Sequence, residues 1–450
     1  MSIIKNKKEL AFSPLRKDMV DMLEFGINGV RPATLMEQSM LYSDDLNSVT
    51  VNTNEFTILR GRIFVVGGGK GAGEMALALE HIIGEDNITA GIVNCTSDEH
   101  KTKKIKVNKA SHPLPGTRGV RGVRAMLELK EKYDINDNDL VICLISGGGS
   151  ALLPGPVKEI SLRDKQKTTD LLINCGANIS EINIVRKHLS TVKGGQFGSY
   201  FAPAVFVSII ISDVPGDKLE VIASGPNVAD KSTFNNALMI LEQKALTKLV
   251  PASVLEYLQD GTRGKHAETP KELKNSYNYI IGNNAQALES ISLRAKQLGY
   301  KPIIAGTDMS GTPEEAARNN AKKIIAGVYD DYDVILFGGE TTPSLAFERG
   351  LGGRNQHFTA ASIVPLESLG GEWVMAGIGT DGVDYTEKAA GALIDNNTLE
   401  NCRKKKLNIE NYLHDFDTYH LFQKLDNSLI DTGGHTGTNV RDVVVYLRKK

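Results

Sequence analysis

Lys70 stands inside the glycine run of VVGGGKGAG, directly after the apolar residues 63–66. The apolar run, the glycine turn, and then Met75, Ala78, Leu79, Ile82 and Ile83 at helical spacing predict a strand, a tight turn and a helix. Such a turn aims backbone N–H groups and the positive end of the helix dipole at whatever sits above it. A phosphate or a carboxylate suits that place, and Lys70 adds a full positive charge. The turn is not a Walker A loop, because Gly71 stands where that loop needs a hydroxyl after the lysine. Gly67, Gly69 and Ala72 fit the dinucleotide pattern G-x-G-x-x-[GA]. No acid ends the next predicted strand, 89–94, to hold a ribose; Cys95 and Thr96 follow it, and Asp98 comes a little late.

In a parallel sheet all strand carboxyl ends lie at one edge, and ligands bind there. The residues after each apolar run are therefore the ones to collect. After 140–145 come Ser146, Gly147, Gly148, Gly149 and Ser150, whose successive N–H groups and two hydroxyls suit a phosphate chain. Lys193 precedes Gly194 and Gly195 in a further glycine loop. After 204–211 come Ser212, Asp213, Pro215, Gly216 and Asp217. Two acids on a strand-end loop can hold Mg2+, which prefers oxygen ligands and keeps several waters; one of them can instead serve as a base. In the second half Glu340 lies in GGETT after a strand, Arg354 in GGRNQ before a helix, and Asp381 in GTDG after a strand, while TGGHTGTN precedes the last strand. Each is an ordinary turn when taken alone. Their number points to a large polyanionic ligand in a cleft between domains. The nine histidines show no metal spacing.

The elements that position these residues alternate. Residues 13–42 read as helical with a break at Pro32. Strands are predicted at 63–66, 89–94, 140–145 and 204–211, with a helix at 120–133 and helices up to about 192. The polar stretch 260–276 has only Ala267 and Leu273 as apolar side chains and reads as a linker. Beyond it the alternation restarts, with strands at 277–281, 302–305, 334–337, 373–377 and 443–447 and helices at 284–298, 313–328 and 355–362. Repeated β–α alternation predicts mainly parallel sheets covered by helices, an α/β protein of two domains at 1–265 and 277–450. The length of 450 residues agrees. With 52 basic and 54 acidic residues and no long basic block, nucleic acid is not an expected partner. Four scattered cysteines give neither a zinc pattern nor a disulfide framework. No run of 18 apolar residues occurs and the start lacks a signal-peptide core, so a cytoplasmic protein away from membranes is expected.

The ordered motifs VVGGGKGAGEMA, SHPLPG, LISGGGSALL, TVKGGQ, ISDVPGD, ASGPNV, FGGETT, GGRNQH, GTDGVD and GTNVRD, from about residue 10 to the C-terminus, resemble those of type II glycerate 2-kinases, which carry the MOFRL domain. The resemblance implies a Rossmann-like N-terminal α/β/α domain, a smaller α/β MOFRL-type C-terminal domain, and an active site in the cleft between them. It implies ATP-dependent phosphorylation of D-glycerate at the 2-hydroxyl, with Mg2+. Lys70 and Arg354 are the charges it makes central, as catalytic and substrate-binding groups, with Asp213 beside them. The glycine turn with Ser146, Gly147, Gly148, Gly149 and Ser150, together with Lys193, Gly195 and Asp217, is the expected nucleotide site. Asp213, Asp217 and Asp381 are the expected metal ligands. His357 stands where the family more often has an acid, and GGHTGTN replaces GPTGTN. A homodimer is left open. The rival readings are an NAD(P)-dependent hydroxypyruvate reductase, resting on G-x-G-x-x-A, and a nucleotide-binding regulator without catalysis.

Overall fold

The computed structural model describes residues 2–58, 61–344 and 350–449. The chain divides into two compact units, Leu35–Ile281 and Met1–Thr34 together with Gly282–Lys450.

In Leu35–Ile281 three short strands, β1 (Met40–Ser43), β2 (Ser48–Val51) and β3 (Asn54–Thr57), form an antiparallel sheet. The main sheet has six strands: β4 (Ile63–Gly68), β5 (Ile88–Cys95), β6 (Ile105–Lys109), β7 (Leu140–Ile145), β8 (Val205–Ile211) and β9 (Ser276–Gly282). Their spatial order is β6-β5-β4-β7-β8-β9, and every pair from β6 to β8 is parallel. Every residue of β4 and β7 is buried, which is why both read as unbroken apolar runs. Numbered within the sheet, the order is 3-2-1-4-5-6, that of the dinucleotide-binding fold, and it reverses between β4 and β7. β4 ends in glycine because β7 comes too close for anything else. At Gly67 φ is +138°, and a Cβ there would lie 2.1 Å from the carbonyl oxygen of Leu144.

Two expectations change here. The lysine-rich stretch after β5 holds an edge strand, β6, in which only Ile105 is buried, so its pattern is too polar to read as a strand. The polar segment 260–276 is packed rather than a linker. It begins in the helix Ala252–Thr262, Glu268 accepts the Phe234 N–H at 2.9 Å, and the buried Thr269 donates to Asp230 at 3.0 Å. Its polarity serves hydrogen bonding, and the unit runs on to Ile281.

The second unit has strands β10 (Pro302–Met309), β11 (Val334–Gly339), β12 (Trp373–Gly379), β13 (Gly391–Asp395), β14 (Leu429–Ile430) and β15 (Asp442–Arg448), in the order β10-β11-β15-β12-β13-β14. Only β10 and β11 pair in parallel; β15 runs antiparallel between β11 and β12, and β13 and β14 continue antiparallel. The sheet is mixed, where alternation predicted a mainly parallel one. The N-terminal helix Pro14–Gly29 also belongs to this unit rather than to the expected first domain. Its buried stripe of Met19, Met22, Leu23 and Ile27 packs beside the helix Asn284–Gln297, close enough that a Cβ on Gly26 would meet Ile291 at 2.3 Å. Arg16 pairs with Asp395 at 2.7 Å and Asp21 with Arg294 at 2.6 Å. Amphipathic spacing foretells such a helix but not its partner. Among the described residues no helix is long and apolar enough to cross a membrane.

Candidate active site

The glycine turns after β4 and β7 flank the place where the strand order reverses, and there they interlock. Gly69 N–H donates to Asn94 O at 3.1 Å, Lys70 N–H to Gly147 O at 2.8 Å and Gly71 N–H to Ser146 Oγ at 2.9 Å. The first turn therefore spends two of these N–H groups on holding the second turn and one on the end of β5, and what it presents is the Lys70 side chain. Lys70 has no carboxylate partner among the described residues. It lies beside Gly148 and His112: a Cβ on Gly148 would meet His112 at 2.7 Å and Lys70 Cγ at 3.5 Å. Burial, and then the charge of Lys70, hold the His112 imidazole below its ordinary range, which favours its neutral form. The free donors are on the second turn. The N–H groups of Gly147, Gly148 and Ser150 make no hydrogen bond among the described residues, and Gly148 takes φ +76° to turn the backbone there.

A cavity of about 500 Å3 opens beside this turn. Ser146, Ser150, Arg186 and Asp213 supply its polar wall, and Ile179, Val214, Val221 and Ile222 its apolar wall. Such a mixed lining suits a ligand with one flat apolar part and one charged part. Arg186 donates to Ser150 Oγ at 2.6 Å, and Lys193 Nζ reaches Ser150 Oγ and O, each at 3.1 Å, and Ala223 O at 3.2 Å. Ser224 Oγ lies 3.1 Å from Ser150 Oγ and donates to Asn183 at 3.0 Å.

In the second unit Arg354 opens the helix Arg354–Ser362. Asp442, buried at the start of β15, takes its Nε at 2.6 Å and Nη2 at 2.9 Å, and Glu340, at the end of β11, lies 3.0 Å from Nη1. Burial lowers the guanidinium pKa, but the charge and hydrogen bonds of Asp442, with Glu340, outweigh it and raise the value. A guanidinium has five N–H donors, so some remain for a ligand. The next two N–H groups, of Asn355 and Gln356, donate to the two oxygens of Asp384 at 3.0 and 2.8 Å. Burial nonetheless dominates at Asp384 and pushes its pKa up to about 6. Thr380 ties the motifs together, donating to Arg441 O at 2.6 Å and accepting from Val440 N–H at 2.9 Å.

A model described as a domain of unknown function (DUF4147) matches residues 18–259, and the MOFRL family model matches 333–442. The chain is 37% identical over 427 residues to glycerate 2-kinase of Pyrococcus horikoshii, spanning 94% of each. The chain belongs to the glycerate kinase family. A crystal structure of glycerate kinase from Thermotoga maritima superposes on it with a TM-score of 0.84 at 32% identity, covering 96% of this chain and 99% of that one. A protein of Agrobacterium vitis provisionally named hydroxypyruvate reductase is 35% identical and spans 86% of this chain and 87% of its own.

In this glycerate kinase chain the structure brings Lys70 together with Gly147 and Gly148, and Asp213 with Ser146, Gly148, Gly149 and Ser150 around the cavity. Lys193 stands behind Ser150. Gly195 is placed elsewhere: its N–H goes to Gly225 O at 2.7 Å, and Val228 O crowds its Cα, so it docks one loop on another. Asp217 closes the turn Pro215–Asp217 and does not line the cavity. Asp381 lies in the other unit, where Oδ1 accepts the Val383 N–H at 3.2 Å. Among the described residues no three His, Cys, Asp or Glu side chains are grouped to hold a metal ion. Of the expected metal ligands only Asp213 lines the cavity, and Ser150 Oγ there is already engaged by Arg186 and Lys193; a single carboxylate fits Mg2+ only where phosphates and water bring its other ligands. Sequence reasoning missed Arg186, Asp384 and Asp442.

Proposed function

We propose that this protein transfers a phosphoryl group from ATP to the 2-hydroxyl of D-glycerate. Family membership supports the kinase class. The observation that carries the chemistry is the meeting, at the strand-order reversal, of Lys70 with N–H groups of the second glycine turn that have no partner among the described residues. Phosphoryl transfer needs positioning and charge neutralisation more than covalent help from the protein. On this reading the Ser150 turn and the adjoining cavity take the nucleotide, and Lys70 neutralises charge on the reacting groups. Arg354, aimed by Asp442 and Glu340, binds the glycerate carboxylate, which a planar guanidinium can meet with paired hydrogen bonds. Asp213 would hold Mg2+, which would supply positive charge to offset that of the phosphates.

The relative named for hydroxypyruvate favours one rival, a reductase of that acid. Incubation of the purified protein with D-glycerate, ATP and Mg2+, followed by NMR of the product, separates the two. The expected product shows phosphorus coupled to the C2 proton. Coupling to the C3 protons would move the reaction to the other hydroxyl. NADH oxidation with hydroxypyruvate, and no ADP from ATP and glycerate, would overturn the kinase reading.

A further inference from the structure

Three cations cluster at and behind the cavity wall, and among the described residues none of them is paired with an anion. Arg186, on the helix Ile179–His188, faces the cavity and donates to Ser150. Lys193 is 1% exposed and held only by Ser150 and Ala223 oxygens. Lys165, on the helix Leu162–Asn174, is 6% exposed, and its Nζ has no hydrogen-bond partner. Among the described residues no carboxylate pairs with any of the three. The neighbouring Lys187 shows the contrast, because it is equally buried but paired with the buried Asp230 at 3.2 Å. A buried ammonium without a partner is costly to keep charged. Burial, and then the neighbouring positive charges, push Lys165 and Lys193 well below the ordinary lysine range. A fold that pairs one buried lysine and, among the described residues, gives three adjacent cations no carboxylate has a place for an anion that arrives from outside.

We propose that Arg186 binds the phosphate chain of the nucleotide in this cavity, and that Lys193 and Lys165 act from behind as positioning residues that supply the matching positive charge. This rests on the kinase reading and names where its nucleotide phosphates lie. The apolar wall of Ile179, Val214, Val221 and Ile222 then takes the base. The charged groups facing Lys165 and Lys193 are Arg186 and each other, so an arriving polyanion is what makes their protonated forms favourable. Nucleotide binding therefore favours the protonated forms of Lys165 and Lys193.

The test is calorimetric titration of the full-length protein with ADP, and with adenosine as the phosphate-free control, in two buffers of different ionisation heat. The expected result is net proton uptake with ADP and none with adenosine. R186Q should weaken ADP binding about 10- to 100-fold, the scale of a lost charge-assisted hydrogen bond, and leave adenosine binding unchanged. K165M should lower the proton uptake and weaken ADP binding, yet raise Tm, because it replaces an unpaired buried amine with an apolar chain. A merely structural Lys165 would instead lower Tm and leave proton uptake as it was, and that outcome overturns its role. ADP affinity within twofold of the parent in R186Q overturns the phosphate site while the kinase reading stands, provided the parent still converts glycerate. A parent that binds neither ADP nor ATP overturns both.

Discussion

Lys70 is the side chain whose removal tests the chemistry most cleanly, because among the described residues no carboxylate is left stranded when it goes. Lys70→Ala should keep its Tm and lose roughly 10²-fold in kcat, the scale for one preorganised electrostatic group; steady-state kinetics with near-normal turnover would return Lys70 to a solvated role. Arg354 is different, since Asp442 is buried and depends on it. Arg354→Lys keeps the charge but loses the paired geometry, and it should raise KM for glycerate tenfold or more while lowering Tm. A fall in kcat at unchanged KM would place Arg354 on the transferring phosphoryl group instead. Lys70, Ser146, Ser150 and Asp213 were legible in the sequence because parallel strands deliver whatever follows an apolar run to one edge. Arg186 was not. It sits in the last turn of its helix, in NIVRKH, where a run of cations looks like a solvated end, and only tertiary packing brings it to Ser150, 36 residues away. Asp442 escaped for a related reason. It opens its strand rather than following it, and it reaches the binding edge only because β15 runs antiparallel between β11 and β12.

At the scale of elements, the start of the helix Arg354–Ser362 depends on Asp384. The folded pKa of about 6 lies above the ordinary 3.8, so the folded state holds this proton more tightly than the unfolded chain does. Its contribution is fully present below pH 3.8 and is lost as pH rises through 6, on the order of 3 kcal/mol at about 1.4 kcal/mol per pH unit. Melting curves from pH 4 to 7 should therefore show Asp384→Asn gaining on the parent as pH rises; a constant difference in Tm would remove Asp384 as the titrating group. The turn at Gly148 makes a second case. An alanine there must adopt φ +76° and displace His112, at a cost of about 1–2 kcal/mol. Its activity loss should exceed what that stability loss explains, because Lys70 lies on the same surface. Element types were mostly readable from periodicity: the helix spacing at 284–298 and 313–328 matches Asn284–Gln297 and Pro313–Ile325. Strand direction in the second sheet was not, since an apolar run at 443–447 looks the same whichever way its neighbours run.

For the whole molecule, the division into units makes Leu35–Ile281 an insertion between a leading helix pair and the rest of its unit. A chain shortened to 35–450 would leave the partners of Met19, Met22, Leu23 and Ile27 uncovered. Each such side chain is worth roughly 1.5–3 kcal/mol when buried, so together they rival the ~5–15 kcal/mol that holds a typical domain. Urea unfolding of that shortened chain should show the Leu35–Ile281 transition preserved and the second unit's transition lost or shifted far down; an unchanged second transition would show that the helix is dispensable. The same division sets a schedule for the ribosome. The helix Pro14–Gly29 emerges before the inserted unit, but the helix Asn284–Gln297 that covers it is translated only after that unit. At roughly 5–20 residues per second the intervening stretch of about 250 residues takes on the order of 12–50 s. For that interval the nascent chain trails an amphipathic helix with a bare greasy stripe, a natural client for chaperones at the exit tunnel.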